Sequence, residues 1–337
     1  MALIKATIAA ASMSALFHRS SRPFRVPVTL SPRRTLCMGS GCPHDVKYSA
    51  SFLYPNRRPS FGLSVTDLTD SDWCEKQKEF SLVDRSRKTS AAMKTGDGGQ
   101  EEVIKRYRIR SAEDSWAIKF TNSIIHANEL LVHGLTRELT IVGFTEGAWI
   151  VGRIDEVRLL KMKSEYFLMI VEKKTRRRAT LPTEPQRRKG RFQVMCYKKL
   201  MDISAEFPSE KFYDHLALNP EHILSPNIVK KTVKSGFPCE TLRDLVECFR
   251  TTCSLLPPTH DKLLLRYELQ GNLSLLLEKQ FPYDPEWVTG KIKYHLEFLS
   301  GKREAACTPV EERWKCNFCR FSSKCPAYSD SPEQTGH

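Results

Sequence analysis

Two acidic residues and a lysine stand at fixed offsets in one segment of the chain, VGRIDEVRLLKMKSEYFLMIVEKKTRRR. They are Asp155, Glu172 and Lys174, and each lies in a run of β-forming residues. If the turn between the runs is centred on residues 163–164, antiparallel pairing sets Asp155 opposite Glu172. Alternation along the second strand then puts Lys174 on the same face as Glu172. Such a half-buried cluster without a partner would cost on the order of several kcal/mol.

A divalent cation would resolve this concentration of charge. Two carboxylates on neighbouring strands offer the hard oxygen ligands that Mg²⁺ prefers, and Mg²⁺ keeps positions open for water and for a phosphate oxygen. Mn²⁺ accepts the same oxygen ligands and is a second candidate ion. Lys174 would orient or polarise an attacking water while the metal stabilises charge that develops on phosphorus. The segment therefore predicts metal-assisted hydrolysis of a phosphodiester.

A predicted helix follows the hairpin and carries two further polar residues. The stretch RRKGRFQVMCYKKLMDIS has helical periodicity. Gln193 and Tyr197 are four residues apart, so they share one face of this helix and can both point toward the carboxylates or toward a nucleic-acid backbone. A core Tyr beside a satisfied Gln is the alternative interpretation.

Basic residues are concentrated between residues 173 and 191, where nine Lys and Arg side chains accompany one acid, Glu184. A solvated charged loop is the usual interpretation of such a run. Its position beside the predicted metal site favours phosphate binding, because the Arg guanidinium forms bidentate hydrogen bonds with phosphate. Binding should then weaken steeply with salt. The side chains predicted to bind nucleic acid are Arg176, Arg177, Arg178, Arg187 and Arg188.

Three of the eleven cysteines have a spacing typical of a metal centre. WKCNFCRFSSKCP contains a C-x2-C-x5-C cluster, a spacing at which three thiolates can face one centre. Cys74 is the best candidate for a fourth ligand, because it begins a predicted helix for which Thr69 or Ser71 is the expected cap. Zinc and an iron–sulfur cluster both suit four thiolates, and the spacing leaves both open. The three clustered cysteines are Cys316, Cys319 and Cys325.

The chain is basic, with a formal net charge of +14, which favours a polyanionic partner such as nucleic acid or an acidic lipid surface. Residues 1–44 contain six Lys and Arg and no Asp or Glu. This Ser-rich, Arg-bearing composition predicts a mitochondrial or chloroplast transit peptide over residues 1–45, with a disordered basic tail as the alternative. No run approaches the roughly 18 apolar residues of a membrane helix, so no membrane span is expected.

The remaining residues, 46–337, are predicted to form one α/β domain. A helical pattern begins at Asp114 and ends near Gly134. Three runs rich in β-branched and aromatic residues follow, separated by short polar connections. These predicted strands cover residues 137–144, 148–157 and 166–175.

The C-terminal half is predicted to be mainly helical from Cys239 to about Ser300. One helix in this region has clear ends: Asp284 is its cap, Pro285 is at the first helical position, and Gly301 lies just past the end. A small central sheet followed by helices indicates a mixed α/β fold.

The motifs together resemble the PD-(D/E)xK signature of RecB-like nucleases. The matching residues are Asp155 in GRIDEV, Glu172 and Lys174 in EKK, and Gln193 and Tyr197 in RFQVMCYKKL. With the split cysteine arrangement added, the chain resembles more specifically the exonuclease V family.

The resemblance covers about residues 61–328 and includes SAEDSWAIKF and TRELTIVGF. It implies a restriction-endonuclease-like core with a small mixed central sheet, flanking helices and a helical C-terminal half closed by a [4Fe–4S] cluster. The implied cluster ligands are Cys74, Cys316, Cys319 and Cys325. The implied activity is a Mg²⁺-dependent exonuclease that digests single-stranded DNA from 5′ to 3′ in DNA repair or organellar genome maintenance.

We further expect a monomer that works with single-stranded DNA and a single-strand-binding protein. The expected location is a chloroplast or mitochondrion, as in an organellar plant protein, with a nuclear or cytoplasmic pool.

One motif of the family pattern is missing. RecB-like members carry an upstream Gly-x-x-x-His-x-x-x-Glu helix whose histidine helps to bind metal, but MKTGDGGQEEVIKRY has no histidine after Gly96. Glu101 or Glu102 is the only remnant, and a structural role is expected for His126 in the later helix. Two functions of different classes therefore stand: an exonuclease, and a catalytically impaired iron–sulfur protein that binds single strands. A zinc-stapled structural module is a third interpretation.

Overall fold

One long strand organises the central sheet. The computed structural model describes residues 62–84 and 111–329, all of which belong to one unit of the chain, residues 50–337. The predicted transit peptide and the stretch around Gly96 lie outside the described residues. The described sheet has six strands: β1 (Leu63–Ser64), β2 (Leu135–Thr145), β3 (Ala148–Met162), β4 (Glu165–Arg176), β5 (Lys262–Leu269) and β6 (Leu275–Pro282).

Strand β3 has one neighbour along one edge and two along the other. On the first edge, β2 pairs antiparallel with β3 along most of the length of β3. The other edge pairs with β1 in parallel near its start and with β4 antiparallel over residues 156–162. Beyond Val171, β4 pairs in parallel with β5, which pairs antiparallel with β6. Strands β3 and β4 therefore diverge at Glu156 and Val171, and this fork forms the frame of the site described below.

Helices cover both faces of the sheet in the described part of the chain. No described helix has the length and apolar character needed to cross a membrane. Short 3₁₀ segments cover Val310–Phe318 and Ser322–Lys324. The α-helices are α1 (Val65–Trp73), α2 (Glu75–Val83), α3 (Ala112–His133), α4 (Glu184–Asp202), α5 (Ser209–Leu216), α6 (Pro226–Lys234), α7 (Leu242–Ser254), α8 (Pro285–Leu299) and α9 (Pro326–Ser329).

The predicted helix ends have a local chemical cause. The Ser111 hydroxyl accepts a hydrogen bond from the Asp114 amide at 3.0 Å, and Gly134 ends α3 in the left-handed region at φ 74°. The Asp284 carboxylate likewise caps α8 by accepting from the Trp287 amide at 2.9 Å. Helix α8 and the three predicted strands, which are β2, β3 and β4, are confirmed, although all three strands are longer than predicted. The end of α3 is confirmed as well, but its predicted start and cap at Asp114 are wrong, because Ser111 caps the helix and α3 begins at Ala112.

Helix α4 lies close against the sheet because glycines, Gly152 and Gly190 among them, remove side-chain atoms from the contact. A Cβ at Gly152 on β3 would lie 2.8 Å from the Tyr197 ring, and a Cβ at Gly190 on α4 would lie 2.9 Å from Leu265. Helices α4 and α8 share the apolar core on this face. A second, aromatic core packs α3, α5 and α7 on the opposite face.

The prediction that residues 239–300 are mainly helical is wrong in its centre, where β5 and β6 form a hairpin. Leu263, Leu264 and Leu265 are all buried, because β5 is covered on both faces. A strand buried on both faces loses its alternation, so its continuous apolar run cannot be distinguished from a buried helix by periodicity.

Candidate active site and cysteine pocket

Asp155 lies at the fork between β3 and β4. The predicted hairpin register is confirmed, because Met162 pairs with Glu165 across the turn. The ladder ends one residue before Asp155 would pair with Glu172, and the Asp155 carboxylate accepts a hydrogen bond from the Lys173 amide at 2.8 Å instead. Burial raises the pKa of Asp155, against the opposing effect of this hydrogen bond.

Four predicted site residues form one hydrogen-bonded chain. The Lys174 ammonium donates to Oε1 of Glu172 at 2.5 Å and to Oε1 of Gln193 at 2.7 Å. The Gln193 amide donates in turn to the Tyr197 hydroxyl at 2.8 Å. Strand β4 supplies the first two side chains and α4 the other two, so the close contact of α4 with the sheet brings them together.

The Glu172 carboxylate is the most buried charge of this chain of contacts. It is 1% exposed, and burial raises its pKa to about 7. The Lys174 charge opposes this increase, whereas the Asp155 charge adds to it. Burial alone would lower the pKa of Lys174, but Glu172 outweighs that effect and the pKa is raised. Burial also raises the pKa of Tyr197 well above its usual value. At neutral pH, Lys174 and Tyr197 are therefore both protonated.

One oxygen of Glu172, Oε2, is buried and has no hydrogen-bond partner in the described part of the protein. An orphaned carboxylate oxygen beside a second carboxylate fits a hard divalent cation. Asp155 and Glu172 are the residues that could hold it. Across residues 62–84 and 111–329, no three His, Cys, Asp or Glu side chains stand close enough together to hold a metal ion among them.

A cleft of about 570 Å³ extends from Lys174 across α4 to the C-terminal segment. Its walls carry Arg176, Lys189 and Arg320, together with the aromatic ring of Trp73. Lys189 also bonds Asp70 at 2.8 Å. The sequence placed Lys189 in the basic run, but it did not indicate Arg320, because the cleft joins segments far apart in the chain.

The predicted nucleic-acid-binding arginines have different surroundings. Arg177 and Arg178 are exposed just past the end of β4, and Arg176 bonds Gln186 at 3.0 Å on the cleft wall. Arg187 pairs with Glu184 at 2.9 Å on the surface of α4, whereas Arg188 holds Glu312 through two hydrogen bonds of 2.8 and 3.0 Å. Arg188 thereby connects α4 to the segment that carries the C-terminal cysteines.

The three clustered cysteines and the candidate fourth ligand, Cys74, line one pocket, although they come from opposite ends of the described chain. The prediction that Thr69 or Ser71 caps the helix at Cys74 is wrong, because both residues lie inside α1. Ser64 caps α1. Cys74 itself caps α2, since its sulfur accepts a hydrogen bond from the Gln77 amide at 3.4 Å. The sequence gives little signal for a thiol cap, because oxygen side chains dominate that position. The lining cysteines are Cys74, Cys316, Cys319 and Cys325.

Charged residues on both sides of Cys74 fix its loop to α8. Glu75 accepts two hydrogen bonds from Arg303, at 2.5 and 2.6 Å, and contacts His295 at 3.0 Å. Burial alone would raise the pKa of Glu75, but these partners outweigh it and the pKa is lowered. Asp72 bonds Lys291 at 2.7 Å. Asp72 and Glu75, the acids on either side of Cys74, are the sequence signal for this anchoring of the loop. Their basic partners could not be identified from the sequence, because they lie more than 200 residues away.

Comparison with known proteins gives the family. The chain matches the family described as "Exonuclease V - a 5′ deoxyribonuclease" over residues 53–168, 160–244 and 232–327. It is 32% identical over 294 residues to Exonuclease V of Danio rerio, covering 82% of this chain and 73% of that protein. The crystal structure of SSO0001 aligns with a TM-score of 0.33 and 14% identity, over 79% of this chain and 86% of that one.

These matches define the protein as a deoxyribonuclease, a hydrolase that acts on DNA. Within that class the chain belongs to the exonuclease V family, a family of 5′ DNA exonucleases, as its motifs predicted.

Proposed function

We propose that the protein digests single-stranded DNA from the 5′ end with Mg²⁺ or Mn²⁺ held by Asp155 and Glu172 in a PD-(D/E)xK core. The observation that carries the proposal is the buried Oε2 of Glu172 beside Asp155, which has no hydrogen-bond partner among the described residues, while the Lys174 ammonium bonds the other oxygen. A buried carboxylate with one orphaned oxygen is costly unless a cation satisfies it.

The chain's own residues would divide the work at the scissile phosphate. When bound, Mg²⁺ would supply Lewis-acid stabilisation of charge on the phosphorus centre. Because its pKa is raised, Lys174 stays protonated and acts as a hydrogen-bond donor that orients the attacking water rather than as a base. Gln193 restricts the Lys174 ammonium, and Tyr197 restricts Gln193.

The cleft beside Lys174 is the proposed path of the single strand. Among the described residues, five cations and one acid, Asp70, line it. Lys78, Lys174 and Lys189 are already closely paired with carboxylates. Arg176 and Arg320 therefore carry most of the attraction for a phosphate backbone. Trp73 offers a ring on which a base can stack. The cations are Lys78, Lys174, Arg176, Lys189 and Arg320.

The cysteine pocket is the proposed site of a [4Fe–4S] cluster. Four thiols from α1–α2 and from residues 316–325 line it, and the Gln77 amide already donates to one sulfur. Four thiolates are the ligand set of such clusters. Trp73 and Gln77 line both the pocket and the cleft, so a cluster there would support one wall of the strand path.

Digestion of end-labelled DNA tests the enzyme proposal. Purified protein with Mg²⁺ should release short labelled products from a 5′-labelled single strand at once, and from a 3′-labelled strand only after processive shortening. Glu172→Gln should abolish both. Degradation of duplex and single strands at equal rates would contradict the single-strand specificity.

A catalytically impaired, strand-binding iron–sulfur protein is the second candidate. It is favoured because the segment MKTGDGGQEEVIKRY lacks the histidine of the family's upstream motif. It predicts that the wild type and Asp155→Ala degrade DNA equally slowly while both bind single strands. Faster digestion by the wild type would exclude it.

The setting of the activity is also proposed. The acid-free residues 1–44 support a chloroplast or mitochondrial destination, with a nuclear or cytoplasmic pool, and a role in DNA repair or organellar genome maintenance. We propose a monomer, with a single-strand-binding protein as a further partner.

A further inference from the structure

Strands β2 and β3 both break their alternation beside Asp155. Thr136 and Leu139 are buried although they are three residues apart, with two exposed residues between them. On the facing strand, Ile154 and Val157 belong to the same core although they too are three apart. A regular strand buries residues two or four apart on one face, so the sheet is irregular in both strands at this level.

Glu138 lies in this irregularity. Its φ is 58°, in the left-handed region that a residue with a Cβ rarely occupies. The ladder pairs on either side of Glu138 set it across from Asp155. Such backbone outliers persist where the surrounding structure fixes them, and they are concentrated at functional sites.

The Glu138 carboxylate is oriented and electrostatically coupled to the site. Arg153 donates to its Oε2 at 2.8 Å, while the side chain remains about half exposed. Burial raises the pKa of Glu138, and the Asp155 charge adds to the increase. Glu138 in turn contributes to the raised pKa of Glu172. Three carboxylates therefore repel one another across the fork.

A second observation indicates that this group of acids faces a cation. Oε2 of Glu172 is buried without a hydrogen-bond partner in the described residues, in a side chain that is 1% exposed. In the described ranges, no third acid stands with Asp155 and Glu172 at the spacing of a shared ion, so Glu138 is placed outside direct contact with it.

We propose that Glu138 is an outer carboxylate of the metal site, held across from Asp155 by its left-handed backbone and oriented by Arg153. It contributes a third negative charge and accepts a hydrogen bond from water around the ion. This inference rests on the proposed function, because it assumes a cation between Asp155 and Glu172. It assigns Glu138 a positioning role and not a direct contact with the scissile phosphate.

Metal affinity, measured without DNA, tests the proposal. Free Mn²⁺ is titrated into the full-length protein and followed by electron paramagnetic resonance, for the wild type, Glu138→Gln and Glu138→Gly. The glycine variant removes the charge and also relieves the backbone conformation. Glu146 is the matched control: it has the same residue type and a φ of 52°, lies at the other end of β2, and is near Lys199 and Lys293.

Both Glu138 variants should bind Mn²⁺ about 10- to 100-fold more weakly, as expected for an outer-shell partner. Glu146→Gln and Glu146→Gly should leave the affinity unchanged, and Glu138→Gly should keep or raise the melting temperature. Unchanged affinity in either Glu138 variant, while Asp155→Asn abolishes binding, would overturn this inference alone. If Asp155→Asn also keeps full affinity, the proposed function fails and the inference with it.

Discussion

The Lys174 ammonium lies 2.5 Å from Oε1 of Glu172, a carboxylate that is 1% exposed. The Lys174 side chain is about one-third exposed, so the buried part of this salt bridge is the Glu172 carboxylate. Removing Lys174 would leave that buried charge uncompensated, which is costly. This costly arrangement lies next to Asp155, and the other oxygen of Glu172 has no hydrogen-bond partner among the described residues. The geometry is therefore better explained by chemistry than by stability.

Replacing Lys174 should separate chemistry from charge. Lys174→Met is expected to lower the turnover number on single-stranded DNA by at least about 100-fold, because a positioned donor near the developing charge is lost. Lys173→Met is the matched control, since Lys173 points to the opposite face and pairs with Glu156 at 2.6 Å. It should change turnover by less than about threefold. Equal losses in both variants would show that positive charge on β4, and not the Lys174 position, matters.

The Mg²⁺ requirement should depend on pH through Glu172. Burial raises the pKa of Glu172 to about 7, so its carboxyl group is mainly protonated at pH 6 and mainly ionised at pH 8. Metal binds the ionised form, so protons compete with it below pH 7. The half-saturating Mg²⁺ concentration for DNA digestion should be about tenfold higher at pH 6 than at pH 8. A half-saturating concentration that is constant from pH 6 to pH 8 would contradict this assignment.

The basic run should divide into binding and structural arginines. The double change Arg177→Gln and Arg178→Gln should raise the half-saturating DNA concentration, leave turnover unchanged, and reduce the slope of log affinity against log salt by about 1.4. Arg188→Gln should instead lower the free energy of unfolding by about 1–3 kcal/mol, because Glu312 loses a charged partner. Denaturant melts and salt titrations of both variants measure the difference. An unchanged salt slope in the double variant would exclude its contact with phosphate.

Serine substitution should identify the ligands of the cysteine pocket. Cys316→Ser is expected to lose the broad visible absorption and most of the bound iron and sulfide, because a thiolate ligand is removed. Cys307→Ser is the control, since Cys307 is exposed and does not line the pocket. It should keep the wild-type iron content. A colourless wild type with one bound Zn²⁺ would establish the zinc-stapled alternative.

The hairpin register could be predicted from the sequence because it depends on local information. Period-two alternation and a short turn fix Met162 opposite Glu165, and this register extends to Glu156 opposite Val171, one residue from Asp155 and Glu172. The four-residue spacing of Gln193 and Tyr197 fixes their shared helix face in the same way.

The fork and the loop of Cys74 could not be predicted, because both depend on distant segments. The fork requires β5, which reaches β4 from about ninety residues later and has no alternation of its own. The contact between Glu75 and His295 spans 220 residues. The left-handed backbone of Glu138 lacks the usual sequence signal as well, since glycine and asparagine are the residues that indicate such a conformation.

Anomalous diffraction from a crystal soaked in Mn²⁺ tests the central claim most directly, since it locates the ion between named carboxylates. We predict a peak in contact with one oxygen of Asp155 and with Oε2 of Glu172, and no such peak in Asp155→Asn. If wild-type protein digests DNA in solution but its crystal shows the Mn²⁺ peak away from both carboxylates, the account is contradicted.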